Sequence, residues 1–201
     1  MSELLIGNPI AENKSRKLFV DPALVNERLM AVDIGNAGGI CVNIDGKLIW
    51  ESMPEDINKR WEIYRDHNPT IIVAENVHAF AGQGIVSTGT LLKNRGQVEM
   101  AIAAVGALHE FINPLNWIKC YTMKRKKHFK RTKEELAEMK KNGEKPFQWK
   151  DHLVSIAQDL LLVNERIDKT TADAILIWNY YAALRIQKPL KPQGLQFSFD
   201  L

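Results

Sequence analysis

Long apolar runs are missing from this chain of 201 residues. None reaches the ~18 residues that a helix needs to cross a bilayer, so no membrane association is expected. The N-terminal stretch is polar, with Glu3, Glu12 and Lys14 scattered through it. It lacks the basic-then-apolar layout of a secretory signal, and a cytoplasmic, soluble protein is expected. Cysteine is scarce. Cys41 and Cys120 stand alone, without CxxC spacing. This speaks against a zinc site or a disulfide framework and suits buried thiols in a reducing compartment. No internal repeat is visible. What remains is an ordinary globular composition, 45% hydrophobic and 25% charged, at a length suited to one domain with a sizeable core.

Net charge is only +3, but it is unevenly spread. Residues 124–150 hold 11 Lys/Arg and 4 Asp/Glu, leaving 16 basic and 20 acidic residues elsewhere. A basic segment on a mildly acidic body suits contact with a polyanion at one place. A solvated surface helix or hairpin would show the same charge.

Leu29-Met30-Ala31-Val32 reads as a buried strand that exits into Asp33 and glycine. Ile40 to Ile44 and Leu48 to Trp50 flank Asp45-Gly46, a hairpin signal, and complete an antiparallel meander. Residues 55–67 carry Ile57, Trp61 and Tyr64 at helical spacing, closed by Asn68-Pro69. Thr70 to Ala74 is a second buried strand, ending in Glu75. A glycine-rich loop over 78–89 leads to a long helix over 90–112, and Trp117 to Tyr121 reads as the fifth strand. Helices are expected over 132–142, 149–163 and 170–184. The strand–helix–strand crossover should be right-handed, which sets the fourth strand parallel to the first. Both then end at one sheet edge, where such folds place their sites. The domain layout expected is an extension over 1–27, a domain over 28–185 with a basic insertion at 122–148, and a tail over 186–201.

Asp33 and Glu75 therefore end two apolar strands that would be neighbours. Like charges held close in a partly buried site are tolerated when a cation compensates or one carboxyl keeps its proton. Asp173 adds an acid inside an apolar helix, TTADAILIW, where an unpaired charge is costly. Taken singly, Asp33 also suits a turn or helix cap and Asp173 the edge of a helix. Together they suit a hard cation such as Mg²⁺ or Mn²⁺. Two such ions ~4 Å apart can activate water and stabilise a leaving oxygen in phosphodiester cleavage.

These motifs resemble those of RuvC-type Holliday-junction resolvases, in the RNase H-like superfamily. AVDIGNAGGICV resembles the first motif, IIVAENV the second and TADAILIW the third. LLKNRGQVEMAIAAVGAL resembles the family's long helix, and FQWKDHLVSIAQDLLL its basic-start helix. The resemblance spans residues 28–185. It implies an RNase H-like α/β domain, a mixed five-stranded sheet flanked by helices, here with a basic helical insertion. It implies a homodimer that nicks two strands of a four-way DNA junction symmetrically. The cofactor implied is Mg²⁺, replaceable by Mn²⁺, with two ions per site. Asp33, Glu75 and Asp173 would be metal ligands, and Lys150 would lie near the scissile phosphate and stabilise developing charge.

The chain departs from the family at Thr170, three residues before Asp173, where an acid or histidine is usual. Asp168, five residues before, stays open as a fourth ligand. His78 takes the spacing of the family's junction-wedging aromatic, with Phe80 two residues on. Lys124, Arg125, Lys126, Lys127, Phe129, Lys130 and Arg131 are the expected phosphate-contacting and base-stacking residues. Two other readings stay open. A non-catalytic branched-DNA binder would keep the basic segment and lose the site. An actin-like ATPase or sugar kinase shares the DIGNAGG-type loop, but a second phosphate loop and second domain are missing.

Overall fold

Apolar runs rich in β-branched residues favour strands, and the sheet is built on them. The computed structural model describes residues 20–35, 38–78, 84–121, 132–143, 149–161 and 167–187. Strands β1 (Leu29–Val32), β2 (Gly39–Ile44) and β3 (Lys47–Ser52) form the antiparallel meander. Asp45 and Gly46 turn its hairpin with φ of 51° and 77°, the paired positive angles of a type I′ turn. Helix α1 (Ile57–His67) starts at Asp56, whose carboxylate accepts the Asn58 and Lys59 N–H groups. Strand β4 (Ile71–Glu75) returns parallel to β1. Then come α2 (Ile85–Val105), β5 (Leu108–Ile112), α3 (Pro114–Tyr121), α4 (Lys133–Lys141), α5 (Trp149–Leu161) and α6 (Lys169–Gln187). The sheet order is β3-β2-β1-β4-β5, with β4 and β5 parallel. This is the mixed five-stranded α/β sheet, flanked by helices, expected from the sequence.

The fifth strand is not where the sequence pattern suggested. The long helix stops at Val105, because Gly106 adopts φ +68° and its N–H closes onto the Ile102 carbonyl. Residues 108–112 pair with β4 instead of continuing the helix. The Trp117-to-Tyr121 run, expected as a strand, lies in α3. Pro114 at the first helical position and Asn113, whose side chain accepts the Leu115 N–H at 2.9 Å, start that helix. Cys120 on α3 is exposed, against the expectation of two buried thiols, whereas Cys41 is buried.

Side-chain alternation along β1 and β4 splits the core into two layers. Leu29, Ala31, Ile71 and Val73 face α3, α5 and α6, with Trp117, Leu153, Ala157 and Trp178. Met30, Val32, Ile72 and Ala74 face α1 and α2, with Tyr64, Val98 and Ile102. Val20 and Val25 also enter the first layer, and Asn43 donates to the Pro22 and Val25 carbonyls. Residues 20–25 are thereby tied to the sheet. Among the described residues no helix is long and apolar enough to cross a membrane.

Helix α6 packs across the sheet and comes so close to β2 that a side chain would not fit between them. A Cβ on Gly39 would stand 2.4 Å from the Thr170 carbonyl oxygen and 2.9 Å from the Thr171 Cα. Both are backbone atoms and cannot swing away. Ser52 Oγ and Thr170 Oγ1, 2.6 Å apart, hydrogen-bond at the same corner. We predict that Gly39→Ala loses about 1–3 kcal/mol of stability through overpacking. Gly96→Ala, on α2 where a Cβ meets nothing within 4 Å, should instead gain about 0.5–1 kcal/mol from helix propensity. Equilibrium urea unfolding reads both, and equal effects would mean that the β2–α6 approach is not tight.

Candidate active site

The alternation that layers the core also aims the acids. Residues 29, 31 and 33 share one face of β1, and 71, 73 and 75 share the same face of β4. In register, Ala31 pairs with Val73 and Val32 with Ala74, so the next step sets Asp33 beside Glu75. On its other side β1 stays paired with β2 to this point, since the Asp33 N–H donates to the Gly39 carbonyl at 2.9 Å. Both side chains thus point to the layer that holds α6, where Asp173 lies buried one turn into the helix.

Each carboxylate has one oxygen held by a different donor. The Gly35 N–H donates to Asp33 Oδ1 at 3.0 Å. The Trp117 indole N–H donates to Glu75 Oε1 at 3.2 Å. The Lys150 ammonium, from the first turn of α5, donates to Asp173 Oδ2. Among the described residues, the other Asp173 oxygen, Oδ1, is buried without a hydrogen-bond partner. A buried carboxylate oxygen left bare is costly unless something further binds it.

The electrostatics bear the mark of crowding. Burial, then the charge of Asp173, pushes the Asp33 carboxyl up to about 6, against a smaller opposing effect of the Gly35 hydrogen bond and Lys150. Burial, then Asp33, pushes Glu75 up to about 7, with the Trp117 hydrogen bond and Lys150 opposing. Burial works against the charged form of Lys150, but Asp173, Asp33 and Glu75 outweigh it and lift its pKa. Four charged groups from β1, β4, α5 and α6 therefore act on one another at one edge of the sheet.

Among the described residues, no three acidic, histidine or cysteine side chains stand close enough to hold one ion as placed. The chemistry of the donors nevertheless fits a hard cation. All are carboxylates, one oxygen of each is already fixed, and Asp173 Oδ1 is bare. Asp168 lies outside this set. It is exposed in the turn before α6, where its carbonyl accepts the Thr171 and Ala172 N–H groups. Thr170, three residues before Asp173, helps seat α6 against β3 through its hydrogen bond with Ser52.

His78 is exposed beyond β4. Phe80 and the basic set Lys124, Arg125, Lys126, Lys127, Phe129, Lys130 and Arg131 lie outside the described residues. The sequence reading missed Trp117 because it placed that residue on a strand. Its only signal was the Asn113-Pro114 helix start. Arg95 was also unforeseen. It donates to Asn76 Oδ1 and the Val77 carbonyl, and its guanidinium lies 4.9 Å over the Phe111 ring. It fastens α2 to the segment that follows Glu75.

Comparison with solved structures finds distant similarities. Thermus thermophilus RuvC in complex with a Holliday junction substrate is 12% identical, over 81% of this chain and 96% of that one, with a TM-score of 0.49. Thermus thermophilus RuvC in a second structure is 13% identical, over 79% and 94%, with a TM-score of 0.41. The yeast mitochondrial Holliday junction resolvase Ydc2 is 13% identical, over 86% of each chain, with a TM-score of 0.44. No protein-family model and no curated protein sequence matches this chain.

A consequence for stability follows from the raised carboxyls. A carboxyl whose folded pKa lies above its ordinary value binds its proton more tightly in the fold. Its favourable contribution is complete below about 4 and is lost as pH rises through about 6 for Asp33 and about 7 for Glu75. At pH 8 the ionised pair opposes folding. Metal-free Asp33→Asn and Glu75→Gln should then be more stable than the parent by roughly 1–2 kcal/mol. That corresponds to a Tm higher by about 2–4 °C per kcal/mol. The gain should vanish near pH 4. Thermal melts of the chelator-treated proteins at the two pH values test this, and a loss of stability at pH 8 would refute it.

Proposed function

We propose that this chain is a divalent-metal-dependent endonuclease that resolves four-way DNA junctions by paired symmetric nicks. One observation carries the nuclease reading: carboxylates from three separate elements act on one another at one sheet edge, where one Asp173 oxygen is buried without a hydrogen-bond partner among the described residues, with Lys150 balancing their charge. The resemblance of the three motifs to RuvC-type resolvases names the substrate.

Asp33, Glu75 and Asp173 would hold the ions, with Asp168 as an outlying fourth candidate. Bound Mg²⁺, or Mn²⁺ in its place, would supply Lewis-acid charge and make a water easier to deprotonate, so that it becomes a nucleophile for phosphorus. The chain's own residues do the rest. Gly35 and Trp117 each fix one carboxylate oxygen. Lys150 brings a positive charge beside Asp173, where it can also face a phosphate and stabilise charge gathering on its oxygens. Lys124, Arg125, Lys126, Lys127, Lys130 and Arg131 would neutralise backbone phosphates, and Phe129, His78 and Phe80 would stack on or part bases. Paired nicks require two equivalent sites related by a twofold axis, hence a homodimer.

Two outcomes are expected. On a labelled synthetic four-way junction, the protein should nick two opposing strands symmetrically with Mg²⁺ or Mn²⁺ and not with chelator. Linear duplex of the same sequence should stay intact. Asp33→Asn should abolish cleavage and keep junction binding, because it removes a ligand and not the basic surface. Tight binding without cutting under any metal would make the chain a non-catalytic junction binder. Neutralising Lys124 to Lys127 should weaken binding and flatten its salt dependence by about 0.9 per lost phosphate contact on duplex arms. An unchanged slope would mean that this run does not face DNA.

A further inference from the structure

We infer that Trp117 is a positioning residue for Glu75, holding one carboxylate oxygen by its indole N–H so that the other is presented to the cation site. The inference rests on the nuclease reading above and names a residue which that reading does not contain.

Glu75 ends its strand and is half-buried, so its side chain retains rotamer freedom that a ligand cannot keep. Among the described residues the Trp117 N–H, at 3.2 Å, is the donor that fixes it. The anchor itself is rigid. Trp117 is 1% exposed within the core layer shared by α5 and α6. Its helix is pinned at the start by Pro114 and by the Asn113 side chain on the Leu115 N–H. An indole is a donor only, and it is neutral. It therefore orients the carboxylate without cancelling the charge that a cation needs. Hydrogen-bonded outer partners of this kind orient metal-binding carboxylates and tune their affinity.

The competing view is that a buried tryptophan simply satisfies its N–H on the nearest acceptor. The chain supplies a matched control for that view. Trp178 is also buried, 0% exposed, and its N–H donates to the Leu29 carbonyl at 3.0 Å, away from the acids.

The test compares Trp117→Phe with Trp178→Phe by isothermal titration with Mn²⁺, beside thermal melts and junction cleavage as a function of Mn²⁺. Both variants should lower Tm. Only Trp117→Phe should weaken Mn²⁺ binding, by about 10–100-fold, and its cleavage should recover as Mn²⁺ is raised. Parental Mn²⁺ affinity in Trp117→Phe would overturn the inference, whether or not the parent cleaves junctions. Absence of Mn²⁺ binding by the parent would overturn both this inference and the nuclease reading. Should Trp117→Phe fail to fold, the parent protein gives the answer. Its indole N–H resonances can be followed by NMR during titration with Mg²⁺, and that of Trp117 should shift with the metal's saturation curve. A Trp117 resonance unmoved at saturation would overturn the inference.

Discussion

Two carboxylates at the ends of neighbouring parallel strands, with a third brought down on them by a helix, repel one another. Burial strengthens that repulsion, because less water screens it. Much of the surrounding architecture keeps the three in place despite it. The parallel β1–β4 pairing, in register through Val32 and Ala74, leads Asp33 and Glu75 out at the same edge. A glycine in β2 lets α6 approach until its backbone touches the strand, which brings Asp173 to the same edge. Lys150 then supplies the balancing charge from α5. What cannot be balanced shows as carboxyls that keep their protons to about 6 and about 7.

The acids were legible in the sequence because each interrupts an apolar run, and alternation along a strand fixes which face the next residue takes. The meander was legible from the Asp45-Gly46 turn and the parallel arrangement from the strand–helix–strand order. The fifth strand was not. Leu108 to Ile112 reads LHEFI, with a histidine and a glutamate on an exposed sheet edge, so it shows no buried-strand pattern. The neighbouring WIKCY is more apolar but sits in a helix, because one face of α3 packs on the core while Lys119 and Cys120 point to solvent. Hydrophobicity without its punctuation misled here. Gly106 and Asn113-Pro114 were the informative residues. Trp117 was lost with that assignment, since its contact with Glu75 spans 42 positions and leaves no local trace.

Helices α5 and α6 meet through two ion pairs of opposite sense. Lys150 reaches Asp173, and the next residue, Asp151, reaches Lys169 at 2.5 Å. They are not equivalent. Lys169 and Asp151 are about half exposed, and a pair of that kind contributes little. The Asp173 side chain is 12% exposed, so loss of its ammonium would strand a charge in the interior. The start of α5 is thereby tied to the charge state of the site. Lys150 is also the last cation of the basic stretch over 124–150. The segment proposed to meet DNA thus runs in sequence directly into the residue that balances the acids.

The three acids also differ in how firmly they are held. A main-chain N–H fixes Asp33, a buried neutral indole fixes Glu75, and a half-exposed ammonium on four methylenes holds Asp173. The first two donors are parts of the fold and cannot leave. Lys150 can, and it is the only one of the three donors that carries charge. A cation arriving among the carboxylates would compete with Lys150 and not with Gly35 or Trp117. The arrangement therefore separates orientation from neutralisation. Backbone and indole set where the oxygens point, and a half-exposed ammonium covers part of their charge. A cluster built for stability alone would have little use for that division, since apolar residues at the same three positions would continue the core formed by Val32, Ala74, Ala172 and Ala174.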